Sequence, residues 1–164
     1  MLLSLTLVVV AVVVQTTLFA PDRIQPFGVA PNLVVLVLIA CIRYLDPEAS
    51  LLVGFTAGLL MDMLGGSPLG LWAMSMTAVA YAGVKLRPRA EDGPLLVVIG
   101  VFALTFLGQL VFVLVGTLFG LGLIGDDQLL RKLFLPAVYN LVLAYPVFQL
   151  TRVLLRSGQR SWVS

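Results

Sequence analysis

Long apolar runs, separated by short polar breaks, dominate the pattern along this chain of 164 residues. Three of the runs, 2–19, 69–84 and 95–119, are each close to the roughly 20 residues that a helix needs to cross the hydrocarbon core of a bilayer. The runs 51–64 and 133–155 predict two more spanning helices. The pattern therefore predicts an all-α integral membrane protein.

A sixth apolar run, residues 33–44, is short for a spanning helix. A helix of about 13 residues rises only about 20 Å. This segment must therefore be re-entrant, thin the bilayer locally, or rely on Arg43 snorkelling at its end. We predict a six-helix bundle that forms one transmembrane domain, 1–156, followed by a short tail, 157–164; the spans cover about 2–19, 33–44, 47–64, 68–85, 94–119 and 134–156.

The breaks between the runs carry the chemistry of helix ends. Residues 46–48, Asp-Pro-Glu, are typical of an N-cap, a first-turn proline and a first-turn acid. Pro31-Asn32 predicts a cap for the second span, and Ser67-Pro68 predicts the start of the fourth after Gly65-Gly66 has closed the third. Residues 92–94, Asp-Gly-Pro, predict the start of the fifth span.

The last third of the chain is less regular. The chain is expected to loosen between residues 120 and 125, and residues 126–134 predict a brief amphipathic helix lying in the membrane interface. Pro136 is then expected to begin the last span, and Pro146 to kink it. We expect disorder only over residues 157–164.

Composition supports a membrane protein and excludes several functions. Hydrophobic residues make up 60% of the chain and charged residues only 11%. Histidine is absent and Cys41 is the only cysteine, so a disulfide framework and a cysteine or histidine metal site are excluded. A formal net charge of +2, spread over several loops, makes nucleic acid an unfavoured partner. The first run is too long, and lacks the basic leader, for a secretory signal.

The distribution of basic residues predicts the orientation. Lysine and arginine are enriched in cytoplasmic loops. With both termini in the cytoplasm, the inner segments hold seven basic residues and the outer segments three. The inner ones are Arg43, Lys85, Arg87, Arg89, Arg152, Arg156 and Arg160; the outer ones are Arg23, Arg131 and Lys132. The turn at residues 65–68 is then expected on the outer side.

The third run carries the most informative motif. Gly54, Gly58 and Asp62 recur every fourth residue and so share one broad face of a helix. Such small residues let membrane helices approach closely, and an acid near hydrocarbon is a functional hypothesis by default. Asp62 could accept hydrogen bonds from amides near residues 65–67 or at the start of the next helix, contact a partner membrane helix, or serve as a proton or ion site.

Enzymatic chemistry is not expected. The acidic pairs at 91–92 and 126–127 fall on opposite faces of the predicted membrane, and no histidine is available as a base. No cofactor is expected. Polar residues inside the spans predict hydrogen bonds between helices, although they could instead line a small-solute pocket. These residues are Gln15, Thr16, Thr17, Gln109, Tyr139, Asn140, Tyr145 and Gln149.

Three arginines, Arg152, Arg156 and Arg160, line one face if the last helix continues beyond the membrane. Positive charge there would anchor the topology, or it would contact anionic lipid or a cytoplasmic partner.

Three features of the central third of the chain occur together. They are Pro31-Asn32-Leu33, the motif from Gly54 to Gly70, and Tyr81 with the basic exit 85–87. The motif residues are Gly54, Phe55, Gly58, Leu59, Asp62, Gly65, Ser67, Pro68, Leu69 and Gly70. In these features the chain resembles the rod shape-determining MreD family. Chain length and hydrophobic profile are also similar to those of the family.

The resemblance implies a six-helix bundle like the substrate-binding subunits of energy-coupling-factor vitamin transporters. It also implies a non-enzymatic scaffold in the bacterial inner membrane, acting in cell elongation and peptidoglycan synthesis. Expected partners are MreC, and beside it RodA, its class B transpeptidase and MreB filaments. As partner-interface or helix-packing residues it points to Gly54, Gly58, Asp62, Gly65, Ser67, Pro68 and Gly70. The alternative function is a small-solute-binding subunit of a membrane transporter.

Overall fold

The computed structural model of the chain describes residues 2–19, 28–90 and 93–160. The described residues form six α-helices and one short 3-10 helix. The α-helices are α1 (Leu2–Leu18), α2 (Leu33–Ile42), α3 (Pro47–Gly65), α4 (Leu71–Ala90), α5 (Pro94–Leu118) and α6 (Leu129–Arg160). The 3-10 helix covers Leu123–Gly125. The predictions of an all-helical chain and of six helices are confirmed for this part of the chain.

Three of the described helices are long and apolar enough to cross a membrane. They cover Pro47–Gly65, Leu95–Leu118 and Leu129–Leu155, and two shorter apolar helices cover Leu2–Leu18 and Leu33–Ile42 among the described residues. Many large apolar side chains on their outer faces are exposed, as on Leu95, Leu118 and Val142. An apolar exterior of this kind suits lipid and not water. The crossing of all six helices remains a prediction.

The short helix α2 lies at the centre of the bundle. Its 10 residues rise about 15 Å, half the thickness of a hydrocarbon core. Eight of these residues are buried, and α2 contacts each of the other five α-helices. Because other helices surround α2, it is apolar on every side, and its sequence shows no amphipathic period. The helix ends at Ile42, two residues before the predicted end of the second span.

Three polar side chains form hydrogen bonds with backbone groups at the beginning of α2. Asn32 is the N-cap, and its Oδ1 accepts a hydrogen bond from the amide of Val35 at 3.1 Å. Gln15 Oε1 on α1 accepts from the amide of Leu33 at 2.9 Å, and Asn140 Nδ2 on α6 donates to the Asn32 carbonyl at 2.9 Å. Backbone groups in an apolar interior need such partners. The cap at Asn32 and the predicted interhelical role of Gln15 and Asn140 are thus confirmed.

The boundaries in the last third differ from the prediction. Helix α6 begins at Leu129 and runs without interruption through Pro136 and Pro146 to Arg160. The predictions of a separate interfacial helix and of a new span beginning at Pro136 are therefore wrong. Each proline removes one backbone hydrogen bond, and the remaining bonds keep the helix intact. The predicted disorder is wrong for residues 157–160, and residues 161–164 lie outside the described part.

Candidate functional site

The helical hairpin of α3 and α4 contains the whole motif singled out in the sequence. Gly66 closes α3 in the left-handed conformation, with φ of 72°, and Gly70 also has a positive φ, of 98°. Helix α4 begins at Leu71, so the predicted start at Ser67-Pro68 is wrong by about one turn. Residues 66–70 form instead the turn between the two helices.

The carboxylate of Asp62 ties α3 to the turn and to the beginning of α4. Its Oδ1 accepts hydrogen bonds from Ser67 Oγ at 2.7 Å and from the amide of Trp72 at 2.9 Å. Its Oδ2 accepts from the amides of Gly70 at 2.9 Å and Ala73 at 3.2 Å. A carboxylate is well placed there, because the first amides of a helix lack partners and carry partial positive charge. Asp62 thus makes the local hydrogen bonds considered from the sequence.

The same geometry limits the chemistry of Asp62. The residue is 2% exposed, and four donors occupy the roughly four lone-pair positions of its two oxygens. A bound ion would have to displace one of these donors. Within residues 2–19, 28–90 and 93–160, no group of three or more His, Cys, Asp or Glu residues could hold a metal. The geometry supports a structural role over an ion site.

Gly54 and Gly58 permit the close approach of α3 to α4. A Cβ atom at Gly58 would lie 2.3 Å from the Trp72 carbonyl oxygen and 2.4 Å from Ala73 Cα. A Cβ at Gly54 would lie 2.8 Å from Ala80 Cβ. The glycine face is therefore covered by a helix of the same chain. Of the two roles considered for these glycines, the geometry supports helix packing. The glycine face itself is not open to a partner, because α4 covers it.

The other motif residues shape the turn. Ser67 donates its hydroxyl hydrogen to Asp62, and the Pro68 carbonyl accepts from the amide of Leu71 at 3.2 Å. Gly70 adopts a conformation that side chains rarely tolerate. Gly65 is different, since an added Cβ would meet nothing within 4 Å. Nothing in the structure explains a glycine at position 65.

The exposed face of the α3–α4 hairpin carries a shallow apolar groove, which we call the hairpin groove. It is lined by Leu51, Phe55, Met74, Thr77, Ala78 and Tyr81. Phe55, Met74 and Tyr81 are each at least half exposed, at 50%, 53% and 58%. Sequence reasoning missed this surface, although steps of three and four residues, as from Met74 to Ala78 and Tyr81, indicate a common helix face.

The three arginines predicted on one face of the last helix are only partly described. Arg152 is exposed on α6, while the side chains of Arg156 and Arg160 lie outside the described part. The loop before α6 has a defined ion pair, in which Lys132 Nζ donates to Asp126 Oδ2. This hydrogen bond, followed by one from the amide of Gln128, lowers the pKa of Asp126 below its ordinary value.

Comparison with known proteins identifies the family. The family model for the rod shape-determining protein MreD matches residues 1–154 of the chain. No curated protein and no solved structure gives a match. The likeness to energy-coupling-factor subunits therefore stays a prediction, whereas the resemblance in the central motif is confirmed by a match over nearly the whole chain. On the strength of that match, the chain belongs to the MreD family of rod shape-determining proteins.

Proposed function

We propose that the protein is a non-enzymatic membrane scaffold of the machinery that elongates rod-shaped bacterial cells. Its family implies a role in rod shape determination. The observation that supports the proposal is the hairpin groove. It is an apolar surface on a hairpin that internal hydrogen bonds and close helix packing hold in place. Its proposed occupant is the single membrane span of MreC, with RodA, its class B transpeptidase and MreB filaments nearby.

The hairpin groove suits one membrane helix. Of its lining residues, the small Ala78 and Thr77 are half-buried, while the larger Phe55, Met74 and Tyr81 are at least half exposed. Helices associate in lipid mainly through close packing, and small residues between larger ones allow their backbones to approach. An entering helix would gain contacts on both sides of the groove without displacing any of the described residues.

The interior of the hairpin makes that surface a rigid one. The four hydrogen bonds of Asp62 fix the turn, and the glycine contacts fix the separation of α3 and α4. A surface that is already ordered loses little conformational entropy when a partner binds. We therefore assign the buried motif to building the groove and the exposed side chains to contacting MreC.

Copurification of MreC from native membranes tests the proposal. Phe55→Ala removes one side of the groove from an exposed position, so folding is expected to be preserved. Truncation of a central aromatic at an interface costs roughly 2 kcal/mol, or about 30-fold in affinity. Phe119→Ala is the matched control, because Phe119 is 58% exposed and lies after α5, away from the groove. Equal recovery of MreC with both variants would refute the groove as the interface.

The proposed setting is the inner membrane, with the termini in the cytoplasm. The basic ends of α2, α4 and α6, marked by Arg43, Arg87 and Arg152, support this orientation. Reporter fusions at the C-terminus that are active only in the cytoplasm test it. The alternative of a solute-binding subunit has less support, because α2 fills the middle of the described bundle.

A further inference from the structure

An apolar cavity lies between α2, α4, α5 and α6, beside the ends of α2 and α4. Its volume is about 160 Å³, similar to the roughly 150 Å³ of dry protein cavities that take up benzene. Its walls are almost entirely aliphatic, with Phe148 as the aromatic member and Gly83 and Gly100 as the smallest ones. Nothing in the proposed scaffold role uses this space.

Two arginines line the same cavity. Arg87 is half-buried, and one of its guanidinium nitrogens donates to the Leu45 carbonyl at 2.8 Å, which holds the side chain in place. No other described residue accepts a hydrogen bond from its remaining N–H groups. The Arg43 guanidinium lies 5.8 Å from the centre of the Phe148 ring. Among the described residues, only Lys132 and Asp126 form an ion pair within 4 Å. Neither Arg43 nor Arg87 is therefore neutralised by a described carboxylate.

We propose that this cavity binds one anionic phospholipid, with its phosphate at Arg43 and Arg87, a part of one acyl chain in the cavity and the rest of that chain in the surrounding bilayer. The site joins an apolar space to two guanidinium groups that no described carboxylate neutralises, as a phospholipid joins an acyl chain to a phosphate. Guanidinium groups recognise phosphate oxygens through paired hydrogen bonds. A neutral chain would not use the arginines, and a free phosphate ion would not use the cavity.

Access from the bilayer is consistent with this occupant. Leu96 and Ile99 on α5 line the cavity and are 39% and 53% exposed. Exposed apolar side chains at the rim let an acyl chain enter sideways from the surrounding lipid.

Native mass spectrometry of the full chain in detergent, with phosphatidylglycerol or phosphatidylcholine added, tests the arginines. Wild type is expected to retain one phosphatidylglycerol in preference to phosphatidylcholine. The double variant Arg43→Gln/Arg87→Gln should lose this preference about 30-fold. The control Lys85→Gln/Arg152→Gln removes the same charge from the same end but outside the cavity lining, and it should keep the preference. Equal loss in both double variants would overturn the site.

A second variant tests the cavity itself. Gly100→Leu fills it without conflict, since a Cβ there would meet nothing within 4 Å, and leucine is a better helix former than glycine. It should abolish phosphatidylglycerol retention while the protein stays folded. Gly65→Leu adds the same side chain in open space away from the cavity and should retain the lipid. Retention by Gly100→Leu, or displacement of the lipid by millimolar inorganic phosphate, would refute the proposal.

Discussion

Replacing Asp62 by alanine removes the acceptor that holds the α3–α4 turn together. The carboxylate accepts from one hydroxyl and from three backbone amides, those of Gly70, Trp72 and Ala73. In the alanine variant these amides lose their partner at a buried helix start. Water can reach the half-buried Gly70 and Trp72, but Ala73 is 1% exposed.

The magnitude follows from the number and burial of these donors. A buried amide left without an acceptor costs about 1–3 kcal/mol, and water reduces this cost at the two half-buried positions. We expect Asp62→Ala to destabilise the protein by about 4 kcal/mol, with asparagine costing about half as much. Asparagine keeps one oxygen for the amides of Gly70 and Ala73, and its NH₂ group can donate to Ser67, so only the Trp72 amide loses its acceptor.

Cys41 provides the assay. It is the only cysteine of the chain, it is fully buried in α2, and α2 contacts both α3 and α4. A dye that becomes fluorescent on reacting with thiols therefore reports thermal unfolding in detergent. With about 2–4 °C per kcal/mol for a chain of this size, the alanine variant should melt roughly 8–16 °C below wild type.

The matched control is Asp46→Asn. Asp46 is the exposed N-cap residue of α3, and its side chain makes no cap hydrogen bond, so the change should stay within about 0.5 kcal/mol of wild type. A melting temperature of Asp62→Ala equal to that of this control would refute the assigned role of the carboxylate. Equal losses for the alanine and asparagine variants would show that charge, and not the number of acceptors, decides.

Three further outcomes are expected. Gly58→Ala should lower the melting temperature strongly, because its Cβ would lie 2.3 Å from a carbonyl oxygen, while Gly65→Ala should be neutral or stabilise by about 0.5–1 kcal/mol; the same thiol assay compares them. Gln15→Leu should cost about 1–3 kcal/mol by leaving the first amide of α2 unpaired, which hydrogen exchange at that amide would detect. Lys132→Gln should raise the pKa of Asp126 toward its ordinary value, as measured by carboxyl NMR titration.

The helix ends that could be predicted are those determined by neighbouring residues. Asn32 accepts from an amide three residues ahead, Pro47 occupies the first turn of α3, and Gly66 takes the left-handed conformation after it. Each of these acts through a preference that a short stretch of sequence already contains. The N-cap position of Asp46 was predicted for the same reason, although its side chain makes no cap hydrogen bond.

The features that could not be predicted depend on contacts between distant residues. Helix α4 starts at Leu71 because its first amides find their acceptor in the preceding helix, up to eleven residues away. Helix α6 continues through Pro136, although a local rule favours a boundary there. The glycine stripe indicated a close approach, but only the structure shows that α4, and not another protein, makes it.

The division between buried motif and exposed groove determines how partner binding can be mapped. Loss of MreC after a change at Gly58 or Asp62 would not identify an interface, because these residues maintain the hairpin. Variants that leave the hairpin intact can instead identify the surface that binds MreC. Changes at Phe55 or Tyr81 are suitable, because their side chains are at least half exposed. A variant at Gly58 that loses MreC while its melting temperature stays at the wild-type value would contradict this reasoning, since a Cβ at that position cannot leave the packing of α3 on α4 unchanged.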